Sequence, residues 1–97
     1  MVVDIRIIKK APESKTFVLV DGRKLRDIRE LAYALGDMAD HVFWHHVNDA
    51  RNDFGNWIED VFDEKELANT VRQIRDRVST QVSILKHIVS KIEKDNS

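Results

Sequence analysis

The chain has no cysteine, a single proline and only three glycines. Without thiols it forms no disulfide, builds no thiolate metal site and carries no cysteine nucleophile. It has no glycine-rich phosphate loop and no Gly-x-Ser-x-Gly elbow, so the common signatures of nucleotide binding and serine hydrolysis are missing. No apolar run approaches the roughly 20 residues that span a bilayer. The first ten residues are broken by Asp4 and Arg6 and lack the uninterrupted apolar core of a signal peptide. A cytoplasmic protein with no membrane contact is the expectation.

What is present is a chain of 97 residues, 42% hydrophobic and 34% charged. That length and balance suit one soluble domain with one modest core. The net charge of −1 conceals three blocks. Residues 1–35 hold eight basic and five acidic side chains, residues 36–66 two and nine, residues 67–97 six and three. An acidic middle between mildly basic ends lacks the undiluted basic face of a general nucleic-acid binder. Charge matching within the molecule or between subunits suits it better.

Residues 2–8 alternate apolar and polar, which predicts a half-buried strand. Thr16 to Val20 is β-branched and aromatic, a second strand that Asp21-Gly22 ends in a turn. Leu25, Ile28, Leu31, Ala32 and Leu35 trace one stripe of a first helix from about Lys24, with Gly36 in the left-handed position that closes it. Asp37 or Asp40 is the expected cap of a second helix over about residues 38–50. Asn52 or Asp53 starts a third, whose Phe54, Trp57, Ile58, Val61 and Phe62 fall on one face and make the expected core knot. Asp63 and Glu66 form a candidate capping box for a fourth.

That fourth helix is expected to be long. Leu67, Val71, Ile74, Val78, Gln81, Leu85, Ile88 and Ile92 step by four and three alternately, a heptad seam with no glycine or proline from Glu64 to Lys94. Unbroken, it would run roughly 46 Å at 1.5 Å per residue. A compact domain of this size is only about 32 Å across. The expected architecture is therefore mainly α with a short N-terminal β-ribbon: three short helices plus one long C-terminal helix. Residues 1–66 form the core, and residues 67–97 the last helix, packed at its start and projecting beyond. The projecting part would bury Val78, Gln81, Leu85, Ile88 and Ile92 on a second copy, a dimer at first guess. A break near Ser79-Thr80 would instead fold the helix back.

Few constellations suggest chemistry. His41, His45 and Asp49 are spaced i, i+4, i+8, so on one continuous helix they would form a weak candidate metal face. His46 sits on an apolar stripe and reads as a packed residue with a carboxylate partner, Asp53 or Asp60. Asp53, Phe54, Trp57, Ile58 and Leu67 read as structural. Trp44 points away from its helix's apolar side and is a candidate partner contact. No catalytic residue and no cofactor are expected. The leading expectation is a non-enzymatic interaction or oligomerisation module, ahead of a small DNA-associated regulator and of a metal-binding protein.

Asp21-Gly22, Leu25, Leu31, Phe43, His46-Val47, Asn52-Asp53-Phe54, Trp57-Ile58, Asp60-Val61 and Glu66-Leu67-Ala68 together resemble a small prokaryotic, chiefly archaeal, domain family without a settled activity. The pattern, D-G…L…HV…NDF-x-x-WI-x-DV-x-x-x-x-ELA, covers about residues 16–75. The resemblance implies a compact helical domain and nothing about chemistry.

Overall fold

The computed structural model describes residues 8–95, in which a single 3-10 turn (Glu13–Lys15) leads into a short hairpin. Strand β1 (Phe17–Val18) pairs antiparallel with β2 (Lys24–Leu25), Phe17 opposite Leu25 and Val18 opposite Lys24. Between them Leu19 accepts a hydrogen bond from Gly22 N–H and donates one to Arg23, and Gly22 has φ +98°, a conformation only glycine adopts cheaply. Phe17 and Leu19 turn inward while Val18 and Val20 stay exposed. The strand expected over residues 2–8 lies outside the described residues, apart from Ile8, which is buried.

Five helices follow: α1 (Ile28–Asp37), α2 (Asp40–His46), α3 (Asp53–Phe62), α4 (Lys65–Arg72) and α5 (Arg77–Asp95). The mainly helical class with a small antiparallel ribbon is as expected; several boundaries are not. Lys24 and Leu25 belong to β2, and α1 starts four residues later because Asp27 accepts a hydrogen bond from Glu30 N–H while Glu30 reaches back to Arg26 N–H. Gly36 does not close α1 in a left-handed turn. It is helical, and its missing side chain leaves room for Gln81, whose Nε2 would lie 2.9 Å from a Cβ there.

Neither Asp37 nor Asp40 caps α2; the capping position is Ala39, with no side-chain bond. The helix stops at His46, since Asn48 accepts from Ala50 and Arg51 N–H in a tight turn and Val47 bridges to Asn52. Asn52 then caps α3 through Gly55 N–H, and its amide donates to the Val71 carbonyl of α4. Asp63 does not cap α4. It takes the left-handed position that ends α3 (φ 55°), and Glu64 precedes α4 without a side-chain bond to the helix's first N–H groups.

The expected long helix is two helices. Asp76 accepts a 2.7 Å bond from Ser79 N–H, and its carbonyl takes Thr80 N–H and Oγ1, so a new helix is capped and started where a continuous one would run on. The break falls at residues 73–76 rather than at Ser79-Thr80. Arg77 fixes the reversal by donating to the Leu35 carbonyl at 2.5 Å, and Gln81 donates to the Ala32 carbonyl at 2.9 Å. Arg77 thereby satisfies an orphan carbonyl in the last turn of α1, while Gln81 binds one within the helix. The last helix therefore lies along α1 instead of projecting, with Thr80, Ile84 and Ile88 buried against it. The described residues span 40 × 27 × 24 Å.

At the other side of the core, Phe17, His46, Phe54 and Trp57 gather with ring centroids 5.1 to 5.5 Å apart. Trp57 packs edge-on against Phe62 and donates its indole N–H to the Lys15 carbonyl at 2.8 Å. Ile58 and Leu67 are buried in the same core.

Candidate interaction surface

The histidine face proposed from spacing does not survive the end of α2. His41 and His45 are exposed on that helix, but Asp49 lies beyond it, in the Asn48 turn, bound to Arg75 at 2.7 Å. Among the described residues no group of three or more His, Asp or Glu is placed to hold a metal ion.

His46 is almost wholly buried between two partners. Its Nδ1 lies 3.0 Å from Asp53 Oδ2, and its Nε2 is 3.1 Å from the backbone nitrogen of Val20, which can only donate. The Nδ1–H tautomer follows, because Nε2 must accept. A carboxylate behind a histidine is the arrangement of a general base, but here the working nitrogen is already occupied by the chain. The pair ties the hairpin to α2 and α3. Asp53 also holds Arg51 at 2.9 Å, and Asp60 is exposed.

A groove of about 550 Å³ runs between α4 and α5, a feature with no signal in the sequence because Glu64 lies more than twenty residues from His87 and Lys91. Glu64 pairs with Lys91, and His87 Nε2 stands 3.5 Å from the other Glu64 oxygen. Burial raises the Glu64 pKa, but the Lys91 ammonium outweighs it and the group ends below the ordinary glutamate range. Burial depresses the pKa of His87, with Glu64 opposing, and the net direction is down. Both shifts have the same sign for stability. A folded-state pKa below the unfolded one means that the unfolded chain binds more protons, so stability falls as pH falls. The His87 share is lost below about pH 6.5 and the Glu64 share below about pH 4.5. Replacing His87 with leucine should shrink the drop in urea midpoint between about pH 7.5 and pH 5, which denaturation at both values measures.

The basic residues of the C-terminal third are largely engaged within the chain. Arg72 binds Glu59 at 2.7 Å, Arg75 binds Asp49, and Arg77 binds carbonyls of α1. Trp44, the candidate partner contact, is 48% exposed and packs edge-on against Phe43 at 5.1 Å.

The outer face of α5 is different in kind. Val78, Val82, Leu85 and Val89 are 55%, 41%, 43% and 52% exposed on a helix whose opposite face is already buried. They step by four, three and four, which is itself a coiled-coil seam. Val82, Leu85 and Val89 line a shallow trough bounded by Lys86, Ser90 and Glu93. The interface expected from sequence is thus half corrected. Val78 and Leu85 do face outward, but Gln81 binds α1, Ile88 is buried and Ile92 packs against the core. Val82 and Val89 are the other exposed aliphatic residues on this side of the helix. Two heptad series overlap in this segment, and spacing alone does not rank them.

The fold and this surface define a small, mainly helical domain with a doubly amphipathic last helix. The chain belongs to the Family of unknown function (DUF5752), which matches residues 11–93. No curated protein and no solved structure matches it. No helix among the described residues is long and apolar enough to cross a membrane.

Proposed function

We propose that the chain is a non-enzymatic interaction module that self-associates through the outer face of α5. The supporting observation is the row of four half-exposed aliphatic side chains at coiled-coil spacing on a helix already anchored by its other face. Single exposed valines are ordinary on any surface, but a contiguous row in heptad register is the pattern that helix-to-helix docking uses. The anchoring matters as much as the row. Arg77, Gln81, Ile84 and Ile88 hold α5 rigid, so a partner meets a preformed surface and loses less freedom in binding it. The His46–Asp53 pair is occupied within the chain, in keeping with a structural role for it. A cytoplasmic setting belongs to the same reading.

Leu85→Asp is the test. A charge in the middle of the row should convert the associated species to monomer in light scattering across about 10 to 500 μM, with an unchanged circular dichroism spectrum. Equal apparent masses for the two proteins at every concentration would overturn the reading.

A further inference from the structure

The groove between α4 and α5 differs in chemistry from the aliphatic row beside it. Ser83, Lys86, His87, Ser90, Lys91 and Lys94 line it from α5, stepping by three and one alternately. That spacing is one stripe of a helix, here built wholly from hydroxyl and basic side chains. No carboxylate occurs in α5 before Glu93. The facing wall is Leu67, Thr70 and Glu66 of α4, with Glu64 just before that helix.

A row of lysines on a helix is ordinarily a solvated face. Two observations set this one apart. The stripe faces a recess of about 550 Å³, within the size range of small-molecule sites. His87 Nε2 is also closed off from solvent without a hydrogen bond, 3.5 Å from Glu64 Oε2. Glu64 gives its other oxygen to Lys91 and also faces Lys9, so one carboxylate serves three basic groups. Lys91 and Lys94 are like charges one turn apart, and both add to the downward push that burial gives the His87 pKa. Lys86 is exposed and has no ion-pair partner among the described residues. Three lysines and a histidine thus line the groove against two carboxylates, one of them already bound to Lys91.

We propose that the groove binds a small phosphorylated polyol or sugar, its phosphate among Lys86, Ser90 and Lys94 and its body over Leu67 and Thr70. The inference does not rest on the self-associating reading. Lysines are point charges and serine hydroxyls are adaptable donors, a set that suits a tetrahedral dianion. Planar carboxylates are matched by arginine forks, and the stripe has none. On the opposite wall the Thr70 hydroxyl already donates to the Glu66 carbonyl, so Thr70 and the Glu66 carboxylate both offer acceptors. Acceptors are what the hydroxyl groups of a polyol need. A dianion in the groove also offsets the repulsion that Lys91 and Lys94 exert on the His87 ring, which favours its charged form. Glu64, Lys9 and the groove's Glu66 and Lys86 complete the charged surroundings of that ring.

Two-dimensional NMR of the whole chain tests this, with inorganic phosphate and glycerol 3-phosphate titrated against sodium chloride at equal ionic strength. Saturating shifts confined to residues 64–70 and 83–94 are expected, half-complete at about 1 mM and earlier for glycerol 3-phosphate. Lys86→Gln combined with Lys94→Gln should weaken binding at least about tenfold, while Lys24→Gln, exposed on β2, should leave it unchanged. Sulfate, which keeps its charge throughout the titration, should raise the apparent pKa of the His87 ring by about half a pH unit. Shifts that climb linearly to about 50 mM, spread over lysines of every element or persist in the double variant mean general surface screening and overturn the site. An unmoved His87 overturns it as well. Sedimentation with vesicles of phosphatidylcholine and phosphatidic acid separates the two sources of phosphate. Co-sedimentation that the double variant loses places the phosphate on a lipid and overturns the soluble polyol; no co-sedimentation supports it.

Discussion

Trp57→Ala is expected to lower the unfolding free energy by about 3–5 kcal/mol, the usual cost of removing a large aromatic side chain from a core. The indole is 8% exposed and touches Phe17 from α3's inner face and Phe62 one turn on, while its N–H satisfies the Lys15 carbonyl. Truncation removes the contact that holds the segment before β1 on the helical core, and the aromatic cluster loses one wall. Trp44→Ala is the internal comparison. That side chain is 48% exposed with one ring neighbour, so its loss should cost about 1 kcal/mol or less. Urea denaturation followed by circular dichroism separates the two outcomes. Trp57→Phe should fall between them, since it keeps an aromatic body but drops the hydrogen bond to Lys15.

The position of Trp57 was legible from spacing because only one periodicity passes through α3. Phe54, Trp57, Ile58 and Phe62 are its large apolar residues, and a single helical face takes them all, with Val61 partly buried beside them. The start of α1 was harder, because Leu25 continues the stripe of Ile28, Leu31 and Leu35 although it belongs to a strand. The signal was there in Asp27-x-x-Glu30, a cap that outranks one more apolar residue in phase. The end of α2 was hidden for a similar reason: Asn48 folds the backbone on itself through a side-chain bond that periodicity does not see. The Glu64, His87 and Lys91 cluster was not legible at all. It forms only when α5 doubles back, and that reversal rests on Asp76, an ordinary charged residue in a segment without glycine or proline.

The face of α5 is where the sequence admits two answers, and adjacent residues decide between them. Ile84→Asp should abolish cooperative unfolding at 25 °C, while Leu85→Asp should change stability by no more than about 1 kcal/mol. Ile84 is fully buried between α5 and α1, and Leu85 is 43% exposed on the opposite side. Aspartate at 84 loses the burial of a branched aliphatic side chain, about 2–5 kcal/mol, and adds the desolvation of a carboxylate without a partner. Together these reach the roughly 5–15 kcal/mol that a domain of this size has in total. At 85 the carboxylate stays in water and the core is untouched, leaving only a small helix-propensity penalty. Thermal melts of the two variants, run at a concentration where both are monomeric, measure the difference without interference from association. A seam through Leu85 that served the monomer's own core would reverse the order: Leu85→Asp would unfold, and Ile84→Asp would melt like the wild type. The expected order puts one face of α5 in the service of the fold and leaves the row from Val78 to Val89 free for a partner.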